Sequence, residues 1–343
     1  MLIGFLTITA VSFTAIMIKI NSKPGNIEEN RFLLDTVVSM TLYQSQNKEL
    51  LENTFEKIAE WENLLSRYRP ESDISRINSA EANTALEISL PTRQVLQTAL
   101  HYAEESSGAF DPSIGPLVSL WDIGTEHPRI PDSGEIASAL RLVNYREVQL
   151  DTDGVTLKQP GMSLDIGGIA KGWIADEAAR YLRDNGARHF LINLGGNILV
   201  SGGKQDGKPF RIGMQNPFGE RGTYLGIFTL HSGSVVTSGI YERYFEIEGK
   251  RYHHILDTQT GYPAEKGFAA VTIISEHSTE GDALSTALFA MGQEGIDKAL
   301  SLPGIEAAFV TSQGKILITP GAAAIFTPEN DSTPMEILAD HKE

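Results

Sequence analysis

Apolar residues recur at helical spacing through Leu51, Phe55, Ile58, Trp61 and Leu65, which predicts a helix over 48–65. The same period predicts helices over 90–106, with Pro91 near the start and Gly108 just past the end, and over 133–142. Another periodic stretch aligns Ala170, Ile174, Ala178 and Leu182 on one face and stops near Asn185, before Gly186; a short strand over 163–166 enters it through Gly167-Gly168. A last long helix is expected over 279–300. Between these, weak alternation rich in Val, Leu and Thr predicts a strand over 31–43. A hairpin about Asp153-Gly154 is expected over 148–157, and a strand over 190–194 is broken by Gly195-Gly196-Asn197 and then resumes. Strands and glycine-rich turns alternate to about Ile273, and two further strands are expected over 307–311 and 316–319. Residues 66–80, apart from a short helical turn, and 108–124 read as loops. The polar stretch 327–343 reads as a disordered tail. Helices mixed with hairpins, without a regular strand–helix–strand cadence, indicate an α+β fold with largely antiparallel sheets packed with helices.

Composition narrows the function. The 343 residues suffice for one large domain. Net charge is 28 − 44 = −16. An acidic surface argues against nucleic acid as the main partner, since that affinity rests on neutralising phosphates. The chain has no cysteine, which excludes disulfides, zinc–thiolate sites, iron–sulfur clusters and thiol nucleophiles. Leu2 to Ile18 carries no charge and precedes Lys19, Lys23 and Pro24. Residues 1–30 therefore read as a hydrophobic leader or membrane anchor with its linker, the alternative being a buried N-terminal helix. The folded body is expected over 31–326.

Three constellations carry candidate chemistry. Asp282 and Thr286 are four apart on a predicted helix, so a carboxylate and a hydroxyl share one face and can reach one hard cation such as magnesium. The same run, Thr279-Glu280-Gly281-Asp282, also fits a capping box with Asp282 as its third helical residue. Ser163 to Gly172 passes from strand to helix through glycines, a local pattern that favours an anion at a helix N-terminus with Lys171 beside it. A tight turn with a solvated lysine fits as well, and the spacing is not that of a Walker A loop. His253 and His254 are adjacent on a predicted strand and point to opposite faces. Either fits a core histidine or a base for activating a hydroxyl.

In order, these segments resemble the ApbE family, the FAD:protein FMN transferases. The matching stretches are 64–79 (Leu-Leu-Ser-Arg-Tyr-Arg-Pro-Glu-Ser-Asp-Ile-Ser-Arg-Ile-Asn-Ser), Gly108 to Leu117, Leu164 to Gly172, Asn193 to Asn197, Thr237 to Gly239 through His254 to Asp257, and Asp282 to Thr286. The resemblance implies an ApbE-like (T-fold-related) architecture and a Mg²⁺-dependent enzyme. Such an enzyme cleaves FAD at its pyrophosphate, places FMN on a threonine or serine hydroxyl of an acceptor protein and releases AMP. It implies metal ligands at Asp282, Thr286 and the Gly168 carbonyl, and FAD contacts at Tyr68, Ala109, Phe110, Asp111, Asp165, Lys171 and the Leu256 backbone. It implies a catalytic histidine at His254. Acceptors in the family are subunits of redox complexes or secreted flavoproteins. With the leader, this gives an expected enzyme tethered to the cytoplasmic membrane and facing outward. An FAD pyrophosphatase and a non-catalytic flavin-binding protein are the alternatives. The chain departs from the family pattern at Leu34-Asp35-Thr36, Ile240 and Thr258-Gln259, and its leader has no lipid-anchoring cysteine.

Overall fold

The computed structural model describes residues 25–339 apart from Gln205 and Asp331. The leader, 1–24, lies outside the described residues. The chain opens with a hairpin of β1 (Ile27–Leu33) and β2 (Thr36–Leu42). Helices α1 (Lys48–Leu65), α2 (Asp73–Ser79), α3 (Leu90–Glu105), α4 (Gly115–Trp121) and α5 (Ser133–Leu140) follow. Asn47, Ser72, Ser89 and Asp132 accept backbone N–H bonds at the starts of α1, α2, α3 and α5. A small hairpin, β3 (Val148–Asp151) with β4 (Gly154–Leu157), precedes α6 (Gly167–Asp184). Then come β5 (Phe190–Leu194), β6 (Asn197–Ser201), β7 (Phe210–Gln215), β8 (Tyr224–Leu230), β9 (Gly233–Gly239), β10 (Tyr244–Ile247), β11 (Lys250–His253) and β12 (Phe268–Ser275). The chain finishes with α7 (Ser278–Met291), α8 (Gln293–Ser301), β13 (Glu306–Thr311), β14 (Ile316–Ile318), α9 (Pro320–Ile325), β15 (Phe326–Pro328) and β16 (Met335–Ile337).

The main sheet has nine strands in the order β1-β2-β5-β6-β9-β12-β13-β14-β16. Every neighbouring pair is antiparallel except β14 with β16. One face carries the long helices. Val38, Met40 and Leu42 of β2 and Phe190, Ile192 and Leu194 of β5 pack with Phe55 and Ile58 of α1 and Ile174 and Ala178 of α6. The other face is partly covered by the sheet β15-β8-β7 and by α9. Strand β12 is buried along its whole length. Its Val271 and Ile273 meet Leu284, Leu288 and Phe289 of α7, while Ala270 and Ile274 meet Phe210 and Phe228. Two-sided cover explains why β12 is apolar on both faces rather than alternating, apart from Thr272, whose hydroxyl pairs with that of Thr237 at 2.8 Å, and Ser275 at its end. Each fully buried phenylalanine or leucine here contributes roughly 1.5–3 kcal/mol.

Several expectations change. The single strand over 31–43 is a hairpin, and the body begins at β1 rather than at residue 31. Its turn, Leu34-Asp35, holds both residues at positive φ, 56° and 55°. This is the backbone of a two-residue hairpin turn without the usual glycine. Within 108–124, the stretch expected as loop, α4 forms, with Pro116 in its first turn. The stretch 163–166 makes only an isolated parallel bridge, Ser163 with Ile114: the Asn78 amide pairs with the Leu164 N–H at 2.6 Å and the Leu164 carbonyl at 2.9 Å. The last long helix breaks at Gly292, where φ is 67°. The tail expected to be disordered is partly built into the fold. Thr327 and Pro328 pair with Ile227 and Gly226 of β8, and β16 adds in parallel to β14.

Candidate functional site

Every residue to which the resemblance assigns a role lines one cleft. It lies where the tips of the β1–β2 and β5–β6 hairpins, the end of β9, the start of α6 and the middle of α7 meet the loops around Ala109 and Leu256.

Its floor is the crossing of α6 and α7. Gly172 has no side chain there because none fits: a Cβ would lie 2.3 Å from the Ser278 carbonyl oxygen and 2.7 Å from Asp282 Cβ. The contact lets the Gly172 N–H donate to Asp282 Oδ2 at 2.8 Å. Burial raises the Asp282 carboxyl above the ordinary carboxylate range, while Lys171, the Gly172 N–H and Asn197 pull it back. One turn on, Thr286 Oγ1 lies 3.2 Å from Ser238 Oγ, which is itself 2.9 Å from Ser285 Oγ. Gly168 stands against this hydroxyl, since a Cβ on it would come within 3.3 Å of Thr286 Oγ1 and 3.1 Å of Phe110. Asp282, Thr286 and the backbone of Gly168 at the start of α6 thus lie together in the cleft wall.

Asp282 does not cap its own helix. The start of α7 is held from α6: Asp176 accepts the N–H groups of Ser278 and Thr279 at 2.9 and 2.8 Å and the Thr279 hydroxyl at 2.5 Å. With the first turn satisfied from outside, the Asp282 carboxylate is free to face α6 and the cleft.

Positive charge gathers above this floor. Lys171 makes no hydrogen bond or ion pair among the described residues, yet its charge acts on Asp282, Glu242 and His254. His254 Nδ1 lies 3.2 Å from the Arg243 carbonyl oxygen. A carbonyl only accepts, so Nδ1 carries the proton and Nε2 keeps a free lone pair. Burial, and then the charge of Arg243, push the His254 pKa down to about 3, with His253 and Lys171 adding to the shift. Burial also lowers His253, to about 4, but that ring packs edge-on against Phe289 at 5.6 Å and belongs to the core.

The rest of the wall divides into contact surface and bracing. Tyr68 is 60% exposed, so its ring is free to stack on a planar group. Asp165 Oδ1 accepts the Gly167 N–H at 2.8 Å, and its Oδ2 binds Arg67, which also reaches Ser119 at 2.6 Å. Asp111 is buried, with Oδ1 on the Ser113 N–H and hydroxyl and Oδ2 on the Tyr145 N–H, so its carboxylate is committed to the loop that presents Ala109 and Phe110. Leu256 is buried and bridges to Pro263. Just beyond it, the Thr258 hydroxyl donates to the Gly108 carbonyl at 2.7 Å, so the Thr258-Gln259 departure supplies its own brace for that loop.

Sequence reasoning missed four groups that line the cleft: Asn197, Ser238, Glu242 and Arg243. The first two stand in glycine-flanked segments already singled out, but only as turn formers. The Asn197 amide nitrogen is buried beside the Asp282 carboxylate, whose pKa it lowers. Glu242 and Arg243 sit in the turn between β9 and β10, where adjacent opposite charges read as a solvated loop. Burial, and then the neighbouring Asp282, raise the Glu242 carboxyl.

A family model described as the ApbE family matches residues 34–309. The chain belongs to the ApbE family. It is 40% identical over 299 residues to the FAD:protein FMN transferase of Klebsiella pneumoniae (strain 342), covering 86% of this chain and 92% of that protein. It is 34% identical over 287 residues to the FAD:protein FMN transferase of Treponema pallidum (strain Nichols), covering 79% of each. The crystal structure of the ApbE protein from Thermotoga maritima superposes with a TM-score of 0.81 at 35% identity, over 88% of this chain and 99% of that one. The mixed helical and antiparallel architecture expected from sequence is therefore the fold of this family.

Proposed function

We propose that this chain is an FAD:protein FMN transferase. One observation carries the reading: an unpaired lysine, an all-oxygen ligand set and a histidine with a free Nε2 face the same cleft. Its relatives bear the same activity in name.

The ligand set fits magnesium. It offers hard oxygen donors only, and a single protein carboxylate leaves the ion to complete its shell with phosphate and water. The helix-start glycine is also held within reach of the Thr286 hydroxyl. Asp282, Thr286 and the Gly168 carbonyl would hold the ion, which when bound neutralises charge developing on the pyrophosphate.

The chain's own groups do the rest. Lys171 and the N-terminus of α6 attract the pyrophosphate. Tyr68 and Phe110 offer ring faces to the flavin or adenine. The acceptor hydroxyl oxygen attacks the phosphorus on the FMN side, forming a new P–O bond. The bond to the bridging oxygen breaks, and AMP leaves with that oxygen. The hydroxyl proton passes to His254 Nε2. Without substrate His254 is a poor base, because burial first and then the charges of Arg243, His253 and Lys171 oppose its protonation. An anionic pyrophosphate in the cleft would offset the charge part of that shift and raise the basicity of His254. The uncharged run from Leu2 to Ile18 supports a membrane tether and a working place outside the cytoplasmic membrane.

The test mixes the full chain with FAD, Mg²⁺ and a threonine-bearing protein and weighs the acceptor by intact mass spectrometry. A gain of one FMN, abolished by EDTA, is expected. AMP without a mass gain on any acceptor would favour a pyrophosphatase. Bound FAD without AMP would leave a binding protein.

A further inference from the structure

Two hairpin tips form one rim of the cleft. Leu34 and Asp35 line it from the β1–β2 turn, and Asn197 lines it beside the β5–β6 turn. One step behind the pair that closes the first turn, Phe32 stands opposite Val37. Val38 and Met40 point to the helices, so alternation sends Val37 and its partner to the other face of the sheet. There Phe32 is 74% exposed and Val37 57%. This apolar cross-strand pair stands largely in solvent. Strand β5 lies next to β2 with Val38 opposite Leu194, which puts Gly195 beside this pair. Gly195 abuts Thr36, and the nearest group to a Cβ on Gly196 would be Glu242 Oε1, 3.8 Å away. The Thr36 side chain fills the space beside Gly195, and exposed Gly196 leaves bare backbone between the exposed pair and Glu242 and Asn197 in the cleft wall.

We propose that Phe32, Val37 and the Gly195-Gly196 shelf form the track on which the acceptor protein docks. An extended segment of the acceptor lays an apolar side chain on Phe32 and Val37. Its main chain crosses the glycine shelf, and its hydroxyl residue enters the cleft toward His254. Continuity with the cleft selects this occupant: the track begins on an apolar surface and ends at the catalytic wall. A side-chain-free shelf suits a passing main chain rather than a folded surface. The inference rests on the transferase reading.

The experiment uses the full chain, FAD, Mg²⁺ and a library of peptides of roughly twelve residues with one central threonine and random flanks, an extended format suited to groove recognition. Adducts are read by mass spectrometry, and AMP release is measured without peptide. The wild-type protein should select an apolar residue at a fixed offset from the modified threonine. The double variant Phe32→Glu, Val37→Lys should lose that selection and modify peptides roughly tenfold less at low peptide concentration, as for loss of an interface anchor. Its AMP release without peptide should be unchanged, which also reports that it has folded. Unchanged selection and yield in the variant would overturn the proposal. So would a wild-type protein that releases AMP but modifies no peptide. Absence of both AMP and adducts in the wild type would instead bring down the transferase reading, and this inference with it.

Discussion

Replacing Gly172 by alanine tests whether the spacing of α6 and α7 sets the site. The new Cβ would start 2.3 Å from the Ser278 carbonyl oxygen, against a closest tolerated approach of 3.0 Å, and 2.7 Å from Asp282 Cβ. Both contacts are on α7 and neither is the end of a flexible side chain. The helices must therefore part by at least about 0.7 Å, the difference between those two oxygen distances. Asp282 and Thr286 move with α7, whereas Gly168 and Lys171 stay on α6. Misplacement approaching 1 Å costs on the order of 10²-fold in rate. Stability changes less, because overpacking costs about 1–3 kcal/mol while alanine in a helix returns about 1 kcal/mol. The assay is AMP release from FAD across a magnesium titration, with a thermal melt alongside. Gly281→Ala is the control, since it meets only the Val236 and Ser275 side chains, at 3.0 and 3.1 Å, and leaves the crossing alone. A Gly172→Ala enzyme with wild-type rate and an unshifted magnesium midpoint would refute the reasoning.

Asp282→Ala should abolish magnesium-dependent turnover, and a wild-type rate at any magnesium concentration would remove Asp282 from the site. His254→Ala should lose transfer by about 10²–10⁴-fold while still binding FAD, as measured by flavin fluorescence titration. Because His254 stays neutral in the free enzyme down to about pH 3, kcat/KM should show no acid limb near pH 6.5; a limb there, absent from His254→Ala, would contradict the assigned environment. His253, held near 4 by burial, binds a proton in the unfolded chain but not in the native one between about pH 4 and 6.5. Stability should therefore fall as pH drops, by about 2 kcal/mol from pH 6.5 to 5 for this group, and denaturant melts of His253→Gln should lose that part of the slope. Asp176→Ala removes the external cap of α7 and should cost about 1–2 kcal/mol in a denaturant melt. It should also raise the magnesium midpoint, whereas a stability loss with an unshifted midpoint would make the cap purely structural.

Periodicity revealed what repeats along one element. It placed α1, α3 and α6 closely, because each buries one continuous stripe. It failed where a local rule was broken by tertiary contact. The β1–β2 turn was invisible because Leu34 and Asp35 carry none of the glycine that marks such turns. Gly115-Pro116 read as a loop but starts α4. The tail gave little strand signal because β16 is only three residues long, and its Met335 and Ile337 stay exposed while its ladder with β14 holds it. In the site, the Asp282/Thr286 spacing was readable because both lie on one helix. Its meaning was not, since a capping box fitted equally well until Asp176 proved to be the cap. Glu242 and Arg243 carried no signal at all: their proximity to Lys171, Asp282 and His254 comes from the folding of the β9–β10 turn over the cleft.

The bond from Gly172 to Asp282 joins residues 110 positions apart. A chain growing from its N-terminus has made the lysine, the glycine turn and most of the flavin wall long before it makes α7. Until residues 278–291 arrive, the floor of the cleft has no carboxylate and β12 has no cover on its helical side. Completion of the cleft is thus deferred by topology to the last fifth of synthesis. Any truncation that ends ahead of α7 would leave a fragment with most of the cleft wall and without Asp282.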